Sequence, residues 1–400
     1  MRLWPDLPRP VRHALPWDAA AGALGGLASG ALFPFLGVIA RRDLHASAFL
    51  IALLSASASV GNLFNPLMAH HIRHRTKLPH AVWPVAAGRS CYLLMPAAVL
   101  APVYIAICFV ANALTALGAP AYAAVIRDAY PAQRRGQLMG WVRVLAVGGT
   151  IVGALVGGMF LERVSFRWVF PVAALVGLLA TAAFSRIGVP AHPEEPSPPE
   201  VRLMDSLRAV RGDRVFGLYS TCFYLYGFGN LIMGPVIPIF QVDVLRISPH
   251  WVGYLATMAS ACSMLGYLCW GRVLDRRGPF RLMLLVIAVM SISPITYLLA
   301  RSVPVLLIAA AASGFAMAGG DLGYVNAAMR FGPREAVVAY AGMFAFLQAC
   351  RGIPAPFIGA ALGHVLGPRP VFLIALGFWA AATATLASRR GLRMAPTRDD

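Results

Sequence analysis

Charge is scarce in this chain. Only 12% of its 400 residues are Asp, Glu, Lys or Arg, against about 25% in soluble domains. Hydrophobic residues make up 59%, and the mean hydropathy is +0.69. A soluble fold of this size could not cover so much apolar surface, and a disordered chain would be polar. Lysine is nearly missing: Lys77 stands alone among 34 basic residues. Paired cysteines are missing too. Cys91, Cys108, Cys222, Cys262, Cys269 and Cys350 form no CxxC and lie in apolar runs, which excludes a disulfide scaffold and reads as small buried hydrophobes. No phosphate-loop lysine, metal-ligand spacing or nucleophile elbow appears. Residues 227–234 (GFGNLIMG) only faintly resemble a dinucleotide loop, and they lie inside an apolar run with no strand before it. The expectation is no enzyme, no cofactor and no metal.

What the chain does have is length of apolar run. A membrane helix needs about 20 such residues. Twelve segments qualify: 18–40, 47–69, 81–100, 103–126, 137–161, 167–187, 215–240, 250–272, 281–300, 303–328, 336–362 and 370–388. The first is followed by Arg41-Arg42 rather than a small-residue cleavage site, so it reads as a span and not a signal peptide. The formal charge of +18 would suit nucleic acid. Sorted by side, however, 24 basic residues fall in the termini and alternate loops and 7 in the other loops. That is the positive-inside pattern. It places both termini and loops 71–80, 127–136, 272–281 and 330–335 in the cytoplasm, with no nucleic-acid partner.

Residues 188–214 form the only long polar, proline-rich stretch, expected as a cytoplasmic linker whose end is a basic amphipathic piece on the membrane surface. It divides the chain into a six-span half over 1–187 and another over 215–400, with a short basic tail. The halves repeat at an offset of 202. Pro102-Val103 matches Pro304-Val305, Gly118 matches Gly320, Tyr122 matches Tyr324 and Pro131 matches Pro333. Gly140 matches Gly342, Gly157 matches Gly359, and Val169-Phe170 matches Val371-Phe372. Parallel six-span repeats are an architecture of secondary transporters.

Two motifs sharpen this. After the eighth span comes Gly271-Arg-Val-Leu-Asp275-Arg276-Arg277-Gly278-Pro-Phe-Arg281. Gly271 would allow close helix approach, Gly278 a tight turn, and Asp275 a helix N-terminus contact. Span five reads Gly149-Thr-Ile-Val-Gly153-Ala154-Leu-Val-Gly157-Gly158, with Gly149, Gly153 and Gly157 on one helix face, where another helix can pack closely. With these motifs the chain resembles the major facilitator superfamily: the first resembles its cytoplasmic GxxxD(R/K)xGxxR signature, the second the glycine motif of its antiporters, with Ala154 in place of proline. The first-half copy of the cytoplasmic signature is degraded, with Pro66 and His70 at the positions of Gly271 and Asp275. The resemblance implies an all-α polytopic protein of twelve helices in two pseudo-symmetric halves. It implies a bacterial inner-membrane secondary transporter, monomeric, powered by an ion gradient and exporting a small organic solute against protons. Proton-coupled uptake, or a non-transporting sensor or assembly factor, are the alternatives.

Ionisable residues inside a span are costly and therefore functional candidates. Asp321 in span ten and Arg351 in span eleven are the expected proton-coupling residues, or else a structural ion pair. Arg89 and Arg143 are expected to snorkel to the cytoplasmic face, and Asp18 and Asp128 to sit at span ends. The cavity candidates are Asn112, Tyr122, Tyr219, Tyr226, Asn230, Tyr324, Asn326 and Gln348, a set that suits an amphipathic organic substrate. His70, His71 and His74 read as a polar loop. Asp275 is expected near the start of span five, at Gln137 to Gly140, when the cytoplasmic side closes.

Overall fold

The computed structural model describes residues 9–72, 75–131, 133–188, 213–331 and 337–387. Within these, the side chains of 9–10, 324–331, 337–342 and 345 are outside the description. The expected 188–214 linker and its amphipathic end, and His74, therefore lie almost wholly outside the described residues.

Apolar runs of this length can satisfy their backbone polar groups in lipid only as helices or closed barrels, and helices form. In the first half they are α1 (Val11–Arg42), α2 (Ala48–His71), α3 (Lys77–Cys91), α4 (Ala101–Ala129), α5 (Arg135–Leu161) and α6 (Phe166–Phe184). In the second, α7 covers Arg214–Val244. The Pro249–Leu299 stretch has 51 residues, enough for two passes. It breaks at Gly278, whose φ of 72° and ψ of 173° are not helical, into α8 (249–277) and α9 (279–299). Then come α10 (Leu306–Phe331), α11 (Val337–Gly352, continuing as Pro354–Leu366) and α12 (Pro368–Ala387).

The protein is an all-α polytopic membrane protein. Its helices follow the twelve apolar segments, but not with equal regularity. α3 holds Pro84 and passes into a 3-10 stretch at Tyr92–Ala97 that includes Pro96. α11 restarts at Pro354. Proline removes a donor and clashes one turn back, so these two spans are broken rods. The first helix also begins earlier than expected: its backbone is helical from Arg9, nine residues before the apolar run starts at residue 18.

Contacts divide the chain into two units. One is Met1–Ala46, Ser57–Pro198 and Ser248–Thr257; the other is Ser47–Ala56, Pro199–Ile247 and Met258–Asp400. Each unit thus takes a short segment from the other sequence half: the start of α8 packs in the first, the start of α2 in the second.

Within the first unit, α1 and α5 meet through glycines on both sides. A side chain at Gly149 would strike the Ala23 carbonyl at 2.2 Å, and one at Gly153 the Leu27 carbonyl at 2.1 Å. From the other helix, Gly26 would strike the Ala146 carbonyl at 2.0 Å and Gly30 the Thr150 carbonyl at 2.1 Å. Hydrophobicity does not drive helices together in lipid, so close van der Waals packing must. The expected glycine face on α5 is present, and its partner is the Gly22-Gly26-Gly30 face of α1. Gly157 continues the seam against Ala31, whereas Gly158 turns to the start of α8 at Pro249 and His250.

The repeat is visible inside each unit. Gly61 of α2 lies on Ala113 of α4, and Gly266 of α8 lies on Phe315 of α10; the two partners are 202 residues apart. Gly157 lies on Ala31 in the first helix of its half, and Gly359 on Ile232 in the first helix of the other.

Candidate functional site

Asp18, expected at a span end, is 2% exposed. It sits in the third turn of the α1 helix, because that helix starts at Arg9. Its neighbours Ala14, Trp17 and Ala21 pack in an apolar cluster with Val125, Ile126, Tyr130 and Leu138. The Tyr130 hydroxyl donates to Asp18 Oδ2 at 2.7 Å, and no ion pair reaches Asp18 among the described residues. A span that begins at the apolar run hides this acid; one drawn from Leu15-Pro16-Trp17 would have enclosed it. Asp128 is at a helix end as expected, paired with Lys77 Nζ at 2.5 Å.

Asp321 lies on α10, and its residue surface is exposed. The Tyr267 hydroxyl of α8 donates to its Oδ2 at 2.8 Å. The expected ion pair with Arg351 is not among the described contacts. Instead Arg351, 6% exposed, turns to α7. Its Nη1 donates to the Phe223 carbonyl and, at 3.4 Å, to that of Tyr224. Its guanidinium lies 4.5 Å from the Phe223 ring centre. Gly227 makes the notch: a Cβ there would fall 2.0 Å from the guanidinium carbon. A charge deep in a span needs such carbonyl partners. Tyr226 is within electrostatic reach of both Arg351 and Asp321, and a Cβ at Gly320 would stand 3.7 Å from its hydroxyl.

Arg89 repeats the device in the first unit rather than snorkelling. It donates to the Gly177 carbonyl of α6 and to Thr181 Oγ1 at 2.6 Å, in a notch between Gly25 and Gly177. Arg143 is exposed.

The cavity candidates separate. Asn112 is engaged on both ends of its amide: Tyr92 donates to Oδ1 at 2.9 Å, and Nδ2 donates to Ser57 at 3.0 Å. Tyr219 is fully buried among Phe280 and Phe344. Tyr226 is 6% exposed beside Trp379, whose indole donates to its carbonyl at 2.8 Å. Tyr122 is 39% exposed and tilted on Phe184, Asn230 is half-buried and Gln348 exposed. Tyr324 and Asn326 are on α10, with side chains outside the described residues.

In the gating motif, Gly278 makes the turn with positive φ, as its lack of Cβ allows. Gly271 requires correction: among the described residues nothing lies within 4 Å of where its Cβ would be, so none of them shows the expected close helix approach. Asp275, Arg276 and Arg281 are exposed. His70 and His71 are exposed, and the His71 ring contacts His80 at 5.3 Å.

The sequence profile described as Major Facilitator Superfamily matches residues 19–356. The chain belongs to this family. It is a multi-pass membrane protein of a transporter family. Among solved structures it is similar to a variant of the nucleoside transporter NupG, at 14% identity and a TM-score of 0.76, covering 94% of this chain and 99% of that one. It is also similar to a bacterial homolog of the human lysosomal transporter Spinster, in an inward-facing and unoccupied conformation. There the identity is 14% and the TM-score 0.70, over 98% of this chain and 100% of that one. At such identity the likeness is one of fold. A search of curated proteins finds no match.

Proposed function

We infer that this transporter exports a small organic solute across a bacterial inner membrane in exchange for protons, by alternating access. One observation supports the coupling above others. Two carboxylates set in from the helix ends are each held by a tyrosine hydroxyl from elsewhere in the chain, Asp18 by Tyr130 at the end of α4 and Asp321 by Tyr267 of α8. A carboxyl group held by a neutral hydroxyl can take up a proton without stranding a positive partner, which a tight arginine pair does not allow. Asp321 is the exposed one and therefore the loading group; Asp18 is the second. Arg351 acts on Asp321 through the field around Tyr226. The half-buried and exposed polar groups, Asn230, Gln348 and Tyr122, are the solute contacts. The glycine motif of α5 supports export over uptake.

The test is reconstitution into liposomes containing a pH-sensitive dye, challenged with nucleosides and other aromatic organic solutes. A transported solute should move protons in the direction opposite to itself. Asp321→Asn should abolish accumulation on a proton gradient while solute exchange persists. Co-directional movement would make the protein a symporter, and no flux with any solute would favour a sensor. A folded Asp321→Asn/Asp18→Asn protein that still concentrates solute would end the coupling assignment.

A further inference from the structure

Positive-inside sorting leaves few basic residues for the outer loops. Yet four of the seven there, Arg41, Arg42, Arg163 and Arg167, gather at one end of the first unit. The loop after α1 and the loop joining α5 to α6 form an open cleft of about 360 Å³, whose polar lining is Arg42, Asp43, Glu162, Arg163, Ser165 and Arg167.

The charges in this cleft are unevenly satisfied. Arg42 is bound to Asp43 by two contacts, at 2.6 and 3.2 Å. Arg41, just beside the cleft, donates to the Ala46 carbonyl at 2.9 Å. Glu162 accepts from His250 Nδ1, the imidazole also meeting Ser248 at 3.1 Å. Both acids therefore have partners. Arg163 and Arg167 have no ion pair among the described residues. Arg167 Nε is buried with no hydrogen-bond partner, and its guanidinium is held near the Phe166 ring, 5.8 Å from the centre. A buried donor without an acceptor is costly. Arg163 on the loop and Arg167 in the first turn of α6, with Ser165 between them, line the same cleft and offer it two guanidiniums. Guanidinium forks match the oxygens of phosphate.

We propose that this cleft binds a phosphate group, held by Arg163 and Arg167 with Ser165 as a further donor. The position at the ends of α5 and α6, beside Phe160 and Trp168, which are 56% and 65% exposed, is where an aromatic belt and lipid headgroups meet. The phosphate of an anionic lipid and a free phosphate share this chemistry, and the test separates them. The proposal does not depend on the coupling assignment above.

The full chain, purified in detergent, is titrated with short-chain phosphatidylglycerol and, separately, with inorganic phosphate, following intact-complex mass spectrometry and melting temperature. Binding of either probe should fall at least tenfold in Arg163→Gln/Arg167→Gln and stay unchanged in Arg301→Gln. Loss confined to phosphatidylglycerol identifies a lipid site; loss confined to inorganic phosphate identifies a soluble-anion site. If the double variant folds poorly, Arg163→Gln alone, which leaves Arg167 against Phe166, should lose several-fold. The proposal is overturned if neither probe binds the wild type, or if both bind the variants as they bind the wild type.

Discussion

In the first unit the acid is deep and the arginine half-buried: Asp18 is 2% exposed, while Arg89 keeps part of its surface. In the second unit the arginine is deep and the acid open: Arg351 is 6% exposed and Asp321 is exposed. The backbone approaches obey the repeat, at Gly61 and Gly266 and at Gly157 and Gly359, but the charges do not. Asp321 stands opposite Ala119 in the repeat, and Arg351 opposite Gly149. The two halves therefore keep a common packing scheme, because helices in lipid need close contact wherever they cross. Their polar chemistry has diverged within it. Both solve the buried arginine in the same way, with helix carbonyls in a glycine notch.

The largest effect should come from breaking the shared packing. Gly153→Val in the first unit and Gly359→Val in the second would each drive a side chain into a carbonyl, at 2.1 and 2.0 Å. Overpacking of this kind costs roughly 1–3 kcal/mol or more. Folded yield in detergent should fall sharply in both, while Gly271→Val, with open space around it, should express as wild type. Unequal losses in the two glycine variants would show that the repeat is not energetically equivalent.

Next is the arginine notch. Gly227→Ala places a methyl group onto the Arg351 guanidinium, and a charge removed from its carbonyls inside a span is expensive. This variant should lower the melting temperature more than Arg351→Met, which removes the charge together with its need for partners. If Arg351→Met proves the worse of the two, the guanidinium contributes net stability instead of requiring compensation.

These contrasts show what was readable beforehand. The all-helical membrane fold, the turn at Gly278 and the α5 glycine face all depend on local pattern: apolar length, glycine, and i, i+4 spacing. The partner face Gly22-Gly26-Gly30 carries the same spacing and could have been found. The fate of each charge depends on which carbonyl or hydroxyl a neighbouring helix brings up. Hydropathy places Asp18 at a span end because it marks where lipid begins, not where a helix begins. Opposite charges on adjacent spans suggest an Asp321–Arg351 pair; the partners found, Tyr267 and the α7 carbonyls, have no sequence signal. Gly271 matches a motif whose close helix contact is not found at that position among the described residues.

The acids give a smaller, graded contrast. Tyr130→Phe leaves a fully buried carboxyl without its donor, a loss of about 1–3 kcal/mol. Tyr267→Phe leaves an exposed one that water can reach, so the loss should stay below about 1 kcal/mol. Equal destabilisation in chemical unfolding would mean that Asp321 is as enclosed as Asp18.

The smallest effect belongs to Glu162, at the end of α5 outside the spans. Its hydrogen bond from His250 is the main cause that holds its carboxyl below the ordinary value; desolvation opposes it, and the nearby His250 and Arg163 add smaller lowering. The sign follows from linkage. A carboxylate whose folded value is depressed contributes stability above its unfolded value, near 4.3, and loses it as pH falls through the lower folded value. Glu162→Gln should therefore melt slightly below wild type at pH 6, and the two curves should converge as the pH drops below about 4. The side chain is 37% exposed, so salt should shrink the difference as well. The contact ties the end of α5 to the start of α8, where Gly158 already packs on Pro249 and His250. If the difference between the variants instead grows as pH falls, the carboxylate is not what holds that end of α8.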